Sequence, residues 1–402
     1  MGGGVRTPVV LVAGQGDTEA VARVLLQRRG TLVVTHRVEG HVVVRGLTML
    51  RRGAPATADY ALELSHGCVS CTVRNDLLVL LRRLHRRRDV DRVVVHLGQW
   101  LEPQPICWAI EHVRVSLGPG YVDGPAARDV RIAGVVCSLD PGRWLEQALG
   151  DDGLEDGRTV AQVVVGQAEF ADVVVDPWVD HDSGAVLTRL NPRGAFVREA
   201  VQVEHALAAL GGGARLGRGD DPLGPLLVGQ PPLEPDGPVG IVEFISRRPF
   251  HPHRLHDALD VLLDGVVRAR GRIWTASQPD LVMCLESAGA GLRVSTGGKW
   301  LAAMSESEVA TSSTQRRALA SLLWDERHGD RHTSIVVLVC GAQPEQIKES
   351  LQSALLSDSE MSAPEGWPEF GDPFGDWHEE PCADSATEPS SARAVQSSDE
   401  DR

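Results

Sequence analysis

Between residues 8 and 175 short, uninterrupted apolar runs alternate with longer stretches whose apolar residues recur at helical spacing, and this alternation restricts the fold more than any other feature. The apolar runs are 8–13, 32–35, 93–97, 132–137 and 173–175. Runs that are apolar on both faces suit strands covered on both sides. Helical patterns fall between them at 76–87, 104–115, 142–149 and 159–171. An earlier helix, capped by Asp17 or Thr18, would carry Val21, Val24, Leu25 and Leu26 on one face. Parallel strands need a crossover that brings the chain back to the same end, and an intervening helix supplies one. The expected architecture is therefore α/β, a doubly wound sheet over residues 1–210.

The pattern then changes. Residues 211–238 are rich in Gly, Pro and Asp, a linker composition. A second block, 239–357, reads as strand 241–245, helix 253–267, strands 272–276, 281–286 and 292–295, helix 315–324, strand 334–339 and helix 344–356. Its consecutive strands suggest a small α+β unit with an antiparallel sheet. Residues 358–402 form an acidic tail expected to be largely disordered, with Trp377 and His378 as an aromatic island.

Charge and composition narrow the function. A net charge of −15 argues against general affinity for nucleic acid, DNA included, or for membranes, although a local basic patch is compatible with it. No apolar run reaches the roughly 18–20 residues needed to span a bilayer, and the N-terminus lacks the blocks of a signal peptide. Seven scattered cysteines do not form a disulfide framework, so the expected location is the cytoplasm, where thiols stay reduced. Lysine occurs only at 299 and 348, so no phosphate-gripping lysine is available in the first 298 residues. Ser-His-Asp, dinucleotide-binding and His-Glu-x-x-His patterns are absent, and no catalytic residue is assigned.

The sharpest local motif is Glu63-Leu64-Ser65-His66-Gly67-Cys68-Val69-Ser70-Cys71-Thr72-Val73-Arg74. Two cysteines three residues apart can aim both sulfurs at one ion, and thiolates are good ligands for Zn²⁺, which usually takes four donors. His66 and Glu63 are the nearest side chains to complete such a shell. The same spacing also suits a redox pair or two unrelated buried cysteines. Other metal donors by spacing are His251, His253 and His256, the last two sharing a helical face. Arg82-Arg83-Leu84-His85-Arg86-Arg87-Arg88 reads either as a solvated helix end or as a phosphate contact.

Gly67-Cys68-Val69-Ser70-Cys71-Thr72, followed by a leucine-rich helix, resembles the metal motif of the CobW family of metal-chaperone GTPases, with Ser70 in place of the middle cysteine. Gln167-Ala168-Glu169-Phe170-Ala171-Asp172, Arg247-Arg248-Pro249-Phe250-His251-Pro252, Gly297-Gly298-Lys299-Trp300 and Gly329-Asp330-Arg331-His332 resemble further family segments, in family order. The resemblance implies a P-loop-NTPase-like domain followed by a smaller CobW C-terminal domain. It also implies a zinc site built from Cys68, Cys71, His66 and Glu63.

Against the family pattern the nucleotide motifs are eroded. Where a Gly-Lys-Thr loop belongs, the chain has a shorter Gly14-Gln15-Gly16-Asp17-Thr18-Glu19-Ala20, with carboxylates facing where phosphates would sit. His96 and Gln99 replace a glutamate and a glycine, while Glu102-Pro103-Gln104-Pro105 keeps the family's acidic-proline ending. The guanine loop reads Pro177-Trp178-Val179-Asp180, of which only Asp180 is retained. Gly14, Gly16 and Asp180 are left for weak binding of GTP, and hydrolysis is expected to be weak or absent.

The shortened loop, the reduced cysteine motif and Trp100-Leu101-Glu102-Pro103-Gln104-Pro105-Ile106-Cys107-Trp108 look most like the mycobacterial branch of the family. That likeness implies a zinc-responsive adaptor that recruits a hibernation-promoting factor to zinc-free ribosomes, through the ribosome small subunit. A GTP-hydrolysing zinc metallochaperone is the alternative, and a redox switch at Cys68 and Cys71 a third reading.

Overall fold

The computed structural model describes residues 5–64, 69–175, 180–211, 214, 226–227, 229–375 and 393–394. The first domain runs β1 (Thr7–Gly14), α1 (Thr18–Leu26), β2 (Thr31–Glu39), β3 (Val42–Arg51), β4 (Ala54–Glu63), α2 (Val69–Leu84), β5 (Arg92–His96), α3 (Pro103–His112), β6 (Val130–Ser138), α4 (Trp144–Leu149), α5 (Val160–Phe170), β7 (Val173–Val175), α6 (His181–Leu190), β8 (Ala195–Val197) and α7 (Val203–Ala209). Its sheet has the order β4-β3-β2-β5-β1-β6-β7-β8, with a two-residue strand, β14 (Arg393–Ala394), on the outer edge of β4. Strands β2, β5, β1, β6, β7 and β8 run parallel. The doubly wound expectation is met, because the apolar runs of β1, β5 and β6 are covered on both faces. One face packs on Leu77, Leu81 and Ile110 of α2 and α3, the other on Val21, Leu25 and Val203 of α1 and α7.

Strands β3 and β4 were not legible in the sequence. They extend the sheet as an antiparallel hairpin, with Leu32 opposite Met49 and Met49 opposite Ala56. Their residues interleave Arg, Thr, Gly and Asp with apolar ones, and β4 is mostly exposed, so no apolar run marks them. Helix α2 also begins earlier than the 76–87 pattern, at Val69, so that Cys71 lies in its first turn.

The second domain comprises β9 (Val239–Ser246), α8 (Pro252–Ala258), β10 (Val266–Ile273), β11 (Leu281–Ala288), β12 (Gly291–Lys299), α9 (Glu306–Thr311), α10 (Thr314–Leu323), β13 (Thr333–Cys340), α11 (Pro344–Ser353) and α12 (Asp358–Met361). Its sheet, β12-β11-β10-β13-β9, is antiparallel throughout, as expected. The helix read over 253–267 is corrected. α8 stops at Ala258, a short 3-10 turn follows over Leu259–Leu262, and Gly265 takes a left-handed φ of 67° before β10 begins. The helical spacing of Leu255, Leu259, Leu262 and Val266 misled because all four are buried in one core whatever the backbone between them does.

One face of this sheet packs on α8 and α11 through Phe250, Leu255, Ile347 and Leu351. The other lies on α4, α5 and α6 of the first domain, joining Val239, Val267, Ala288 and Leu338 to Trp144, Val164, Ala168 and Val186. Glu169 of α5 reaches Arg268 at 3.3 Å and Arg270 at 2.9 Å across the same seam. The two domains thus share a continuous apolar layer.

The tail boundary also moves. Residues 358–375 pack on the second domain rather than lying free. Glu360 pairs with Arg254 at 2.7 Å, and Trp367, 6% exposed, packs edge-on against Trp274 at 6.0 Å. Phe374 is buried in the second-domain core. Trp377 and His378 lie outside the described residues. Among those residues, no helix is long and apolar enough to cross a membrane.

Candidate nucleotide and metal sites

The loop after β1 sits on the end of β6. A Cβ added at Gly14, whose φ is 122°, would lie 2.0 Å from the Ser138 carbonyl oxygen, and one at Gly16 would lie 2.1 Å from that of Leu139. Both glycines are demanded by this close approach. The Gly16 amide donates to the Ser138 carbonyl at 2.9 Å, so one of the amides expected to face a phosphate is already committed. Asp17 caps α1, its Oδ1 accepting from the Ala20 amide at 2.7 Å. A carboxylate therefore fills the N-terminal position that would otherwise attract an anion. Gln15 donates to the Gln99 carbonyl at 2.7 Å and to Gln167 Oε1 at 3.0 Å, tying the loop to the segment after β5.

A wide groove of about 720 Å³ remains in front of this loop, between α1 and the ends of β2 and β5. Thr18 and His96 close its floor, with Thr18 Oγ1 2.8 Å from His96 Nε2. Burial pushes the His96 pKa down, more than the nearby Glu19 raises it, so the ring is neutral at pH 7 and offers no cation to a phosphate. Glu102 forms an ion pair with Arg158 at 2.5 Å, and burial is the main force on its carboxyl, raising its pKa.

Asp180 begins α6. Its Oδ1 accepts from the Ser183 amide and its Oδ2 from the Ser183 hydroxyl, each at 2.8 Å. Both carboxylate oxygens thus serve the helix cap. Residues 176–179, the rest of the expected guanine loop, lie outside the described residues.

Of the four expected zinc ligands, Glu63 ends β4 as an exposed side chain and Cys71 is half-buried in the first turn of α2. His66 and Cys68, on the segment joining these elements, lie outside the described residues. Topology therefore brings strand end and helix start to either side of the motif. Among the described residues, no three His, Cys, Asp or Glu side chains are placed together to hold a metal.

Beside this motif stands a polar cluster that the sequence did not disclose. Asp76, further along α2, accepts from Arg45 of β3 at 2.6 Å and lies 2.9 Å from His36 Nε2 of β2. His36 is only 3% exposed at its side chain. Its signal was hidden because it depends on β3, the strand that left no apolar run.

The remaining candidates are structural. His251 packs on the tilted Phe370 ring at 4.6 Å and stands 6.1 Å from His253, while His256 faces Phe374 at 6.0 Å, so the docked tail packs against His251 and His256. His332 packs on Trp300 and bonds the Asp330 carbonyl. In the basic run, Arg82 is buried against Asp129, Arg86 lies 3.4 Å over the Tyr121 ring, and Arg87 pairs with Asp89 at 2.7 Å. Most of that run is consumed within the fold.

Residues 13–200 match the CobW/HypB/UreG nucleotide-binding domain, and residues 239–355 match the cobalamin synthesis protein cobW C-terminal domain. Over 378 residues, 94% of this chain and 95% of the relative, the chain is 61% identical to "Zinc chaperone Rv0106" of Mycobacterium tuberculosis. It is 26% identical over 327 residues to "Zinc-regulated GTPase metalloprotein activator 1" of Dictyostelium discoideum, covering 75% of this chain and 67% of that protein. The solved structure of the Zn(II)-bound YjiA GTPase from E. coli is 13% identical with a TM-score of 0.35, covering 87% of this chain and 99% of the other. A P-loop-GTPase-like α/β domain followed by the CobW C-terminal domain, with a relative this similar over nearly its whole length, establishes that the chain belongs to the CobW family.

Proposed function

We propose that this chain is a zinc-responsive adaptor whose nucleotide domain has given up efficient GTP turnover. The observation that carries the second half is the loop after β1. Its Gly16 amide is spent on the Ser138 carbonyl, Asp17 caps the helix that should receive phosphate, and no lysine stands in the loop. Phosphoryl transfer relies almost wholly on positioning and charge stabilisation, so these changes remove its main supports. Of the residual GTP contacts expected at Gly14, Gly16 and Asp180, the Gly16 amide and both Asp180 carboxylate oxygens are already engaged within the fold.

Zinc is supported by the names of the relatives and by the donor chemistry around the start of α2. Cys68 and Cys71, with His66 and Glu63, would hold the ion. With Ser70 in place of a further cysteine, the motif carries few thiolates, which suits reversible sensing better than tight storage. The partners in this reading are a hibernation-promoting factor and the ribosome small subunit. They come from the resemblance to the mycobacterial branch.

The second reading, a zinc metallochaperone driven by GTP hydrolysis, is favoured by the words "chaperone" and "GTPase" in the relatives' names and by the open groove before the loop. One assay separates the two: GTP hydrolysis by the purified chain with and without Zn²⁺, beside a CobW protein that has the P-loop lysine. Turnover matching that protein refutes the adaptor reading. Co-sedimentation with ribosomes that changes with zinc, and that is lost in Cys68→Ser/Cys71→Ser, is the expected positive result.

A further inference from the structure

The basic run at the end of α2 is largely consumed by the fold, yet the fold assembles a different basic surface that no single stretch of sequence contains. Three arginine pairs, Arg28-Arg29, Arg51-Arg52 and Arg87-Arg88, occupy three turns at one end of the first sheet. The Asp91 and Arg92 amides both donate to the Gly30 carbonyl, which joins the first turn to the third. Arg51 and Arg87 both reach the Met49 sulfur, at 4.0 and 3.8 Å, which joins the second turn to the third. All but the half-buried Arg87 are exposed. This end carries the starts of β2 and β5, whereas the glycine loop after β1 and His96 lie at their opposite ends.

Two acidic residues face the arginines from these turns, Asp89 and Asp91. Asp89 is held by Arg87 at 2.7 Å, and that hydrogen bond is the main cause of its lowered pKa. Six arginines less two aspartates leave a local charge of +4 on a chain whose net charge is −15. The Debye length at physiological salt is about 8 Å, so the acids elsewhere do not cancel this field at contact range.

The turn between β3 and β4 adds a second observation. Arg52 has φ of 53° and is the only described non-glycine residue with a left-handed φ. Two-residue hairpin turns of this kind favour Asn, Asp or Gly, and a larger side chain there costs about 1 kcal/mol or more. The turn therefore does not call for arginine.

We propose that this surface binds the phosphate backbone of structured RNA. β5, β2 and β3 are neighbouring strands about 4.8 Å apart, so the three pairs span about 10 Å. Duplex nucleic acid presents about one phosphate per 1.7 Å of helix axis with both strands counted, the density of six arginines over that span. An acidic β-strand presents same-face carboxylates only about every 7 Å, far sparser. Guanidinium groups also grip phosphate oxygens two at a time. The inference stands on charge placement and not on the zinc or adaptor reading, so either can fail alone.

The test is fluorescence anisotropy of a labelled 20-base-pair RNA duplex with the full-length protein between 50 and 200 mM KCl. Neutralising about four phosphates gives a slope of log affinity against log salt near −3.6, a loss of about 100-fold over that range. R29S/R52N/R88S should weaken binding at 50 mM at least tenfold and flatten the slope to about −1. Asn at position 52 suits the turn, so a melting temperature equal to the parent's or a few degrees above it is expected. R143S/R198S, altering exposed arginines at the other end of the sheet, should bind as the parent does. Absence of salt-dependent binding, an unaffected triple variant, or preference for a poly-glutamate peptide over the duplex would overturn the proposal, the last assigning the surface to an acidic protein.

Discussion

Arg82 lies near the C-terminal end of α2 with 2% of its surface exposed, and its guanidinium serves four acceptors. Nε donates to Asp129 Oδ2 at 2.7 Å, Nη1 to the carbonyls of Val115 and Gly124 at 3.3 and 3.1 Å, and Nη2 to that of Val122 at 2.7 Å. These bonds tie the loop 115–124 and the turn before β6 to the helix. Removing one partner of a buried ion pair costs about 3–5 kcal/mol, because the other charge and its bonded carbonyls lose their compensation. Asp129 is 24% exposed and can recover some hydration, which points to the lower end, about 3 kcal/mol. Arg82→Met keeps most of the aliphatic stem and isolates the polar loss; Arg82→Ala adds a cavity and should cost about 1 kcal/mol more. With about 2–4 °C per kcal/mol for a domain of this size, Arg82→Met should lower the melting temperature by about 6–12 °C. The exposed neighbour substitution Arg83→Ala should stay within about 0.5 kcal/mol. Thermal and urea unfolding followed by circular dichroism provide the comparison. A loss below about 1 kcal/mol for Arg82→Met, the range of surface pairs, would refute the assignment of Arg82 as a buried structural anchor.

Two further perturbations probe other parts of the fold. Gly16→Ala places a Cβ 2.1 Å from the Leu139 carbonyl oxygen and should cost about 1–3 kcal/mol, while Gly142→Ala, whose Cβ meets only Asp140 Oδ1 at 3.9 Å, should be nearly neutral in the same unfolding assay. Glu360 titrates at about 2, held down by Arg254 and by the Ser357 amide and hydroxyl. A depressed carboxyl stabilises the docked tail fully above its ordinary value near pH 4.5 and loses that contribution as pH falls towards 2. Tryptophan emission should therefore shift to the red across that window, with Trp367→Phe removing the shift; an unchanged signal would mean Glu360 does not hold the tail.

The legibility of this chain differed from part to part. The parallel core was plain because each central strand is a contiguous apolar run buried on both faces. The hairpin β3–β4 was not, because a half-exposed antiparallel strand needs only every other residue to be apolar. Within the second domain an antiparallel sheet could be anticipated, but the end of α8 depended on Gly265 and on the common burial of Leu255, Leu259 and Leu262. The docking of Trp367 and Phe374 was obscured by the acidic residues around them, since composition averages over the few side chains that anchor a segment.

The candidate site divides in the same way. The lack of lysine before residue 299 and the cysteine spacing are properties of the chain as written, and the sequence alone was enough to establish them. Only the folded chain determined that Gly16 faces the end of β6, that Asp180 serves a helix cap, and that Arg82 is buried while Arg28, Arg51 and Arg88 converge. Each depends on segments tens of residues apart becoming neighbours. Hydrogen bonds and charge act through space over a few ångströms, and sequence separation says nothing about that distance until the core has packed.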